Sequence, residues 1–197
     1  MLDLLEPIFL IKTLGAIGII TIAFAESGLF FGFFLPGDSL LFTAGLVASQ
    51  GYLHFWVILF GTVLAAIAGD SVGYAFGRKV GPKLFTREDS WLFKKSHLEH
   101  TKNFYEKYGK KTIILARFVP IVRTFAPILA GVGGMDYKTF ISYNIIGGVA
   151  WAGGMVTLGF TLGKTIPSID RYILPIVLGI IVVSLLPTLF EYLRKKS

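Results

Sequence analysis

Five apolar runs, at 8–34, 39–69, 112–135, 139–163 and 172–190, dominate the chain. Several exceed the roughly 20 residues a helix needs to cross a bilayer. Hydrophobic residues make up 54% of the sequence and charged residues 16%, against about 25% charged in soluble domains. Inside a bilayer the backbone must satisfy its own hydrogen bonds. Blocks of this length do so as helices, so the expected class is an all-α integral membrane protein. The chain carries no cysteine, which excludes disulfides, thiol catalysis and cysteine-bound metals.

Charge placement sets the expected orientation. Between Arg78 and Lys111 lie ten Lys/Arg and four Asp/Glu, and a second basic cluster is Arg194, Lys195 and Lys196. Short basic segments beside membrane helices are a positive-inside signature rather than a nucleic-acid footprint, so no nucleic-acid partner is expected. Ala23-Phe24-Ala25 follows an apolar run and mimics a signal-peptidase site. The leader before it, however, has Asp3 and Glu6 and no basic residue before Lys12, whereas a secretory n-region is basic. Residues 8–30 therefore read as a retained helix.

The interruptions are as informative as the runs. Phe34-Leu35-Pro36-Gly37-Asp38 breaks one, and Arg117-Phe118-Val119-Pro120 breaks another. Each break is followed by Ala-Gly (Ala44-Gly45, Ala130-Gly131) and then by a glycine-aromatic motif, Gly73-Tyr74-Ala75-Phe76-Gly77-Arg78 or Gly159-Phe160-Thr161-Leu162-Gly163-Lys164. Gly45 to Gly73 and Gly131 to Gly159 are both 28 residues, while the preceding Pro-to-Gly intervals are 9 and 11. Order and spacing together indicate a duplication. If residues 112–132 spanned the membrane, the basic tail would emerge outside. If that segment dips in and returns, the tail lies inside, with the 78–111 loop. The expected plan is an inverted repeat of a re-entrant helical hairpin plus a transmembrane helix, with flanking transmembrane helices. The whole chain, 1–197, reads as a single membrane domain. Repeat one covers about 15–82, a cytoplasmic linker 83–111, repeat two 112–165 and a C-terminal transmembrane helix 169–191. Trp91, Leu98 and Tyr105 at heptad spacing suit an amphipathic surface helix in the linker. A plain soluble linker helix fits the same residues.

Few ionisable residues fall within the apolar runs or at their breaks, and those that stand out are Glu26, Asp38, Asp70, Arg117 and Arg123. Each costs about 2.5–3.5 kcal/mol at a membrane-helix centre on insertion scales. Asp38, directly after the break at Pro36 and Gly37, suits either the cap of a returning half-helix or a proton site. Asp70 suits an ion pair with Arg78 or with an arginine of the second repeat. Arg117 and Arg123 flank the break at Pro120 and cannot shed their charge, so they need anions. Glu26 and Asp38 can supply them, and so can a phosphate, whose geometry the guanidinium fork matches. Protonation of a carboxylate would then release an arginine to an anionic headgroup, and desolvation makes such protonation usable.

Enzyme signatures are sparse. His54, His97 and His100 lie outside the expected membrane core, and His97 and His100 lack a third metal ligand at useful spacing. Gly37-Asp38 and Gly69-Asp70 faintly resemble intramembrane aspartyl proteases, but the inverted plan puts the two aspartates at different depths. There is no phosphate-binding Gly-x-x-x-x-Gly-Lys-Ser/Thr loop. No metal or cofactor is expected.

Glu26, Phe34-Leu-Pro-Gly-Asp38, Gly69-Asp70-Ser-Val-Gly73-Tyr74 and Gly77-Arg78 resemble the first half of DedA-family proteins. Arg117-Phe-Val-Pro120, Arg123-Thr124, Ala130-Gly131, Met135, Phe140, Asn144, Gly147 and Trp151 resemble the second. The likeness covers about residues 15–165. It implies the VTT, or SNARE-associated Golgi protein, domain in a bacterial plasma membrane, with both termini cytoplasmic. It further implies lipid transport linked to the proton motive force. Family members flip undecaprenyl phosphate or act on phosphatidylethanolamine, and eukaryotic relatives scramble phospholipids. The family's acidic pair maps to Glu26 and Asp38 and its arginine pair to Arg117 and Arg123. The reading is a transporter that returns undecaprenyl phosphate to the inner leaflet, its partners being that lipid and protons, with room for a homo-oligomer. The alternatives are a phospholipid flippase or scramblase, an ion/proton antiporter, and a membrane polyprenyl-phosphate phosphatase.

Overall fold

The computed structural model describes residues 7–29, 37–85 and 111–165. The described residues are helical throughout, joined by short turns: α1 (Pro7–Gly28), α2 (Gly37–Ser49), α3 (Phe55–Phe85), α4 (Thr112–Ala116), α5 (Pro120–Val132), α6 (Tyr137–Gly148), a π-helical turn (Val149–Gly153) and α7 (Gly154–Thr165). Two stretches, Phe55–Val80 and Tyr137–Thr165, are long and apolar enough to cross a membrane. The 13-residue helices α2 and α5 reach only about 20 Å at 1.5 Å per residue, short of a hydrocarbon core of about 30 Å. Neither of these two helices is long enough to span alone. The linker helix at 91–108, the C-terminal helix at 169–191, the basic tail and Pro36 lie outside the described residues.

The break in the second half follows from local chemistry. Val119 is extended (φ −119°, ψ 109°) and Pro120 opens α5. A proline pushes the residue before it out of the helical region and suits the first helical position, where its missing N–H is not needed. Pro127, inside α5, removes the N–H that would reach the carbonyl of Arg123. Asp136 then caps α6, its carboxylate accepting from the Thr139 N–H at 3.0 Å.

The described residues fall into two compact units. One gathers those within 1–23, 34–63 and 152–197. In it α2 lies against α7 through glycines: a Cβ on Gly45 would sit 2.0 Å from the Val156 carbonyl oxygen, and one on Gly159 would sit 2.0 Å from that of Phe42. Leu41, Leu46, Ile58 and Val156 are fully buried around this contact.

The other unit gathers 24–33 and 64–151. Here α5 lies against α3 in the same manner. A Cβ on Gly131 would sit 2.1 Å from the Tyr74 carbonyl oxygen, and one on Gly77 would sit 2.1 Å from that of Ile128. Tyr74 stacks on Phe140 with ring centroids 4.4 Å apart, in a core with Ile113 and Ala130. In both units, then, a 13-residue helix, α2 or α5, packs through glycines on a helix from the other half of the chain. Lipid tails are as apolar as leucine, so helices in a membrane gain most where small residues let backbones approach.

Gly45→Ala and Gly131→Ala place a methyl against backbone that cannot step aside. Each is expected to destabilise the detergent-solubilised protein by about 1–3 kcal/mol, as overpacking does. Gly154→Ala, whose Cβ meets nothing within 4 Å, is expected to be neutral or slightly stabilising. Thermal unfolding of the three variants side by side checks this.

Candidate functional site

Among its described residues, the unit built from 24–33 and 64–151 buries four charged side chains. Glu26 is 0% exposed, Asp70 and Arg117 are 1% exposed and Arg123 is 3% exposed. Each comes from a different local structure. Glu26 lies near the end of α1 and Asp70 midway along α3. Arg117 stands at the C-terminus of α4, where the helix breaks, and Arg123 in the first turns of α5. The break thus places two arginines, six residues apart in sequence, on either side of unwound backbone.

Two ion pairs result. Arg117 Nη2 donates to Asp70 Oδ2 and also to Asn144 Oδ1. Arg123 Nη2 donates to Glu26 Oε1. Asn144 is itself fixed, its amide donating to the Ile67 carbonyl at 3.0 Å and to Ser71 Oγ at 3.4 Å. Arg123 Nη1 points back to the Arg117 carbonyl at 3.5 Å. Its guanidinium carbon lies 4.2 Å from the centre of a Trp151 ring, within cation–π range. Trp151 sits in the π-helical turn, the kind of local widening that recurs at functional sites. Gly147 makes room for the Arg117 side chain, since a Cβ there would be 2.7 Å from its Cδ. Two further glycines bring α1 onto α3 beside Glu26: a Cβ on Gly69 would sit 2.7 Å from the Phe24 carbonyl oxygen, and one on Gly28 would sit 3.0 Å from the Gly69 Cα.

The cluster is neutral in sum but not saturated. Arg117 Nε and Nη1, Asp70 Oδ1, Ser27 Oγ and Thr124 Oγ1 are buried and make no hydrogen bond within the protein. Buried polar groups are ordinarily satisfied, so donors and acceptors left over beside two guanidiniums mark a place that accepts more polar chemistry. A phosphate oxygen suits the open edge of Arg117.

A family model described as the VTT domain matches residues 35–161. Protein DedA of Escherichia coli K12 is 49% identical over 179 residues, covering 89% of this chain and 80% of its own. The chain belongs to the DedA family of VTT-domain membrane proteins. A Mycobacterium leprae protein described as an uncharacterized membrane protein is 44% identical over 170 residues, covering 86% of this chain and 76% of its own. Escherichia coli YqjA, described as an inner membrane protein, is 34% identical over 149 residues, covering 73% and 66%. No solved structure matches the chain.

Within this DedA-family protein the structure groups the expected charges in its own way. Glu26, Arg117 and Arg123 share one unit, and Asp70 joins them through Arg117. Asp38 lies in the first turn of α2, in the other unit. Arg78 donates to the Tyr74 hydroxyl at 2.8 Å, and Asp70 pairs with Arg117 rather than with Arg78. In the sequence Asp70 directly follows the apolar run 39–69. It stands mid-helix, because α3 runs on to Phe85. Asn144 and Trp151 carried no expected role. Their signal was an amide and an indole N–H inside an apolar run, both groups that need partners when buried.

Removing one partner of a buried pair leaves an unpaired charge, at about 3–5 kcal/mol. Asp70→Ala is expected to destabilise by that order. Adding Arg117→Met to Asp70→Ala is expected to recover most of the loss in the double variant, because no charge is then stranded. Thermal unfolding of the two single variants and the double variant measures the coupling.

Proposed function

We propose that this protein carries a lipid with an anionic phosphate headgroup across the bacterial plasma membrane, and that undecaprenyl phosphate moving from the outer to the inner leaflet is its substrate. The observation that carries the reading is the buried cluster at the break: two arginines, each balanced by one carboxylate, with a guanidinium edge of Arg117 still open. A structural membrane protein has no use for two such pairs at this expense. An arginine fork held ready by an exchangeable carboxylate suits a phosphate that must bind and then leave.

In this reading Arg117 and Arg123 hold the headgroup phosphate while the prenyl tail stays in the bilayer. Glu26 takes up a proton as Arg123 turns from carboxylate to phosphate. Asp38 serves the same proton traffic from the first turn of α2. Asp70 and Asn144 keep Arg117 in position. The chain acts as one membrane domain in which α2 and the α4–α5 pair are re-entrant and enter from opposite faces, giving an inverted repeat with both termini in the cytoplasm. Helices too short to span and the paired glycine contacts support that plan. Membrane proton gradients would set the direction of transport.

Reconstituted vesicles with labelled undecaprenyl phosphate test the proposal by measuring leaflet exchange and phosphate release together. A charge-assisted hydrogen bond is worth about 1.5–3 kcal/mol, so Arg117→Ala and Arg123→Ala are each expected to slow exchange about tenfold or more. No phosphate is expected to be released. Unchanged exchange in both variants would remove the headgroup site, and release of phosphate would make the protein a phosphatase instead. Equal exchange of phosphatidylethanolamine would move the substrate to phospholipids.

A further inference from the structure

The glycine-aromatic motifs are not used by the buried cluster, yet each ends in a cation. A shift of 86 residues carries Gly73, Tyr74, Gly77 and Arg78 onto Gly159, Phe160, Gly163 and Lys164. In each copy the cation rests on the aromatic residue four positions earlier, one helical turn away. Arg78 Nη1 donates to the Tyr74 hydroxyl at 2.8 Å, and Lys164 Nζ lies 4.6 Å from the centre of the Phe160 ring.

Each motif also lines a cleft. Arg78 and Tyr74 share one of about 480 Å³ with Ser71, Lys79 and Tyr137. Lys164 and Phe160 share one of about 510 Å³ with Ser49, Tyr52 and His54. Both volumes fall in the range of small-ligand sites. The Lys164 cleft also takes in Gly51 (φ 81°), in the turn after α2, and the Arg78 cleft reaches Tyr137 at the start of α6. Both cations are exposed, and the aromatic anchor holds each beside its cleft. The two clefts are therefore matched by the cation-bearing motif that lines each of them, one in each compact unit.

The ordinary account of exposed cations at membrane-helix ends is the positive-inside bias. It covers Arg78 and Lys79, which precede the basic loop. It does not cover Lys164, which the orientation proposed above puts on the outer face, where that bias disfavours a basic residue. A cation kept there, at the position that matches Arg78 and likewise set against the aromatic residue one turn earlier, calls for an anion on the outer side as well.

We infer that the Lys164 cleft and the Arg78 cleft are paired docking sites for the phosphate headgroup of a lipid. The first receives it at the outer surface and the second at the cytoplasmic surface, before and after passage through the buried arginines. This rests on the transport reading for its direction, but binding at the clefts can be measured without transport. Tyr52, Phe55 and Phe160 beside Lys164, and Tyr74 and Tyr137 beside Arg78, give the first prenyl units apolar surface next to the bound phosphate.

The test uses the full chain in nanodiscs of neutral lipid, with photoreactive undecaprenyl phosphate and photoreactive undecaprenol compared at equal load. Labelled peptides are mapped by mass spectrometry. The phosphate lipid is expected to label 48–55 with 160–164, and 71–79 with 137, well above the alcohol. One basic residue near a membrane surface contributes about 1 kcal/mol, so Lys164→Gln is expected to lower labelling at its own cleft about fivefold and to leave the Arg78 cleft unchanged. Arg78→Gln is expected to do the reverse. Lys164→Arg and Arg78→Lys retain labelling, and these conservative variants decide the matter if a glutamine variant does not fold. Equal labelling by phosphate and alcohol, or labelling indifferent to both glutamine substitutions, overturns the inference. Charge-dependent labelling in a protein that shows no leaflet exchange would uphold the docking sites and refute the transport reading. Exchange without charge-dependent labelling would do the opposite.

Discussion

A guanidinium cannot lose its proton to escape burial, and the described residues bury two of them, on either side of a broken helix. Everything near them answers that demand. Asp70 and Asn144 converge on Arg117, while Glu26 and the Trp151 ring converge on Arg123. Neither carboxylate can stand alone in an apolar surrounding, and neither arginine can. The four charges are thus held in place by one another. The cluster forms only if α1, α3, the α4–α5 break and α6 all come together, so the element that looks weakest in the sequence is bound to the most demanding interaction in the fold.

Glycine makes that convergence geometrically feasible. Gly28 and Gly69 bring α1 onto α3 beside Glu26, and Gly77 and Gly131 bring α5 onto α3. Gly147 clears space for Arg117. The same device recurs at Gly45 and Gly159 in the other unit. Close backbone contact replaces the hydrophobic drive that membrane helices lack among themselves.

Much of this was legible in the sequence, and the limits have physical causes. The break before Pro120 was readable because a proline constrains its own neighbourhood, and the structure places it at Arg117–Val119. The run lengths gave the helical class, since the bilayer fixes how long an apolar block must be. The recurring glycines pointed to close helix contacts but not to which helix each would meet, because contacts between distant segments are not written in local pattern. For the same reason Asp70 was readable as a costly charge in need of an arginine, while Arg117 as its partner was one choice among several. The π-helical turn carrying Trp151 left no sequence mark, as no proline or charge breaks Val149–Gly153.

In the transport mechanism proposed above, the carboxylates occupy the arginines until a phosphate takes their place, so that carboxylate and phosphate compete. Equilibrium binding of undecaprenyl phosphate to the purified protein in nanodiscs tests this directly, comparing wild type, Glu26→Gln and Arg123→Gln. Competition predicts that Glu26→Gln binds the lipid more tightly than wild type, because a neutral amide no longer holds Arg123, and that Arg123→Gln binds it more weakly. If Glu26→Gln weakens binding in parallel with Arg123→Gln, the carboxylate supports the phosphate site instead of contesting it, and the exchange account is wrong.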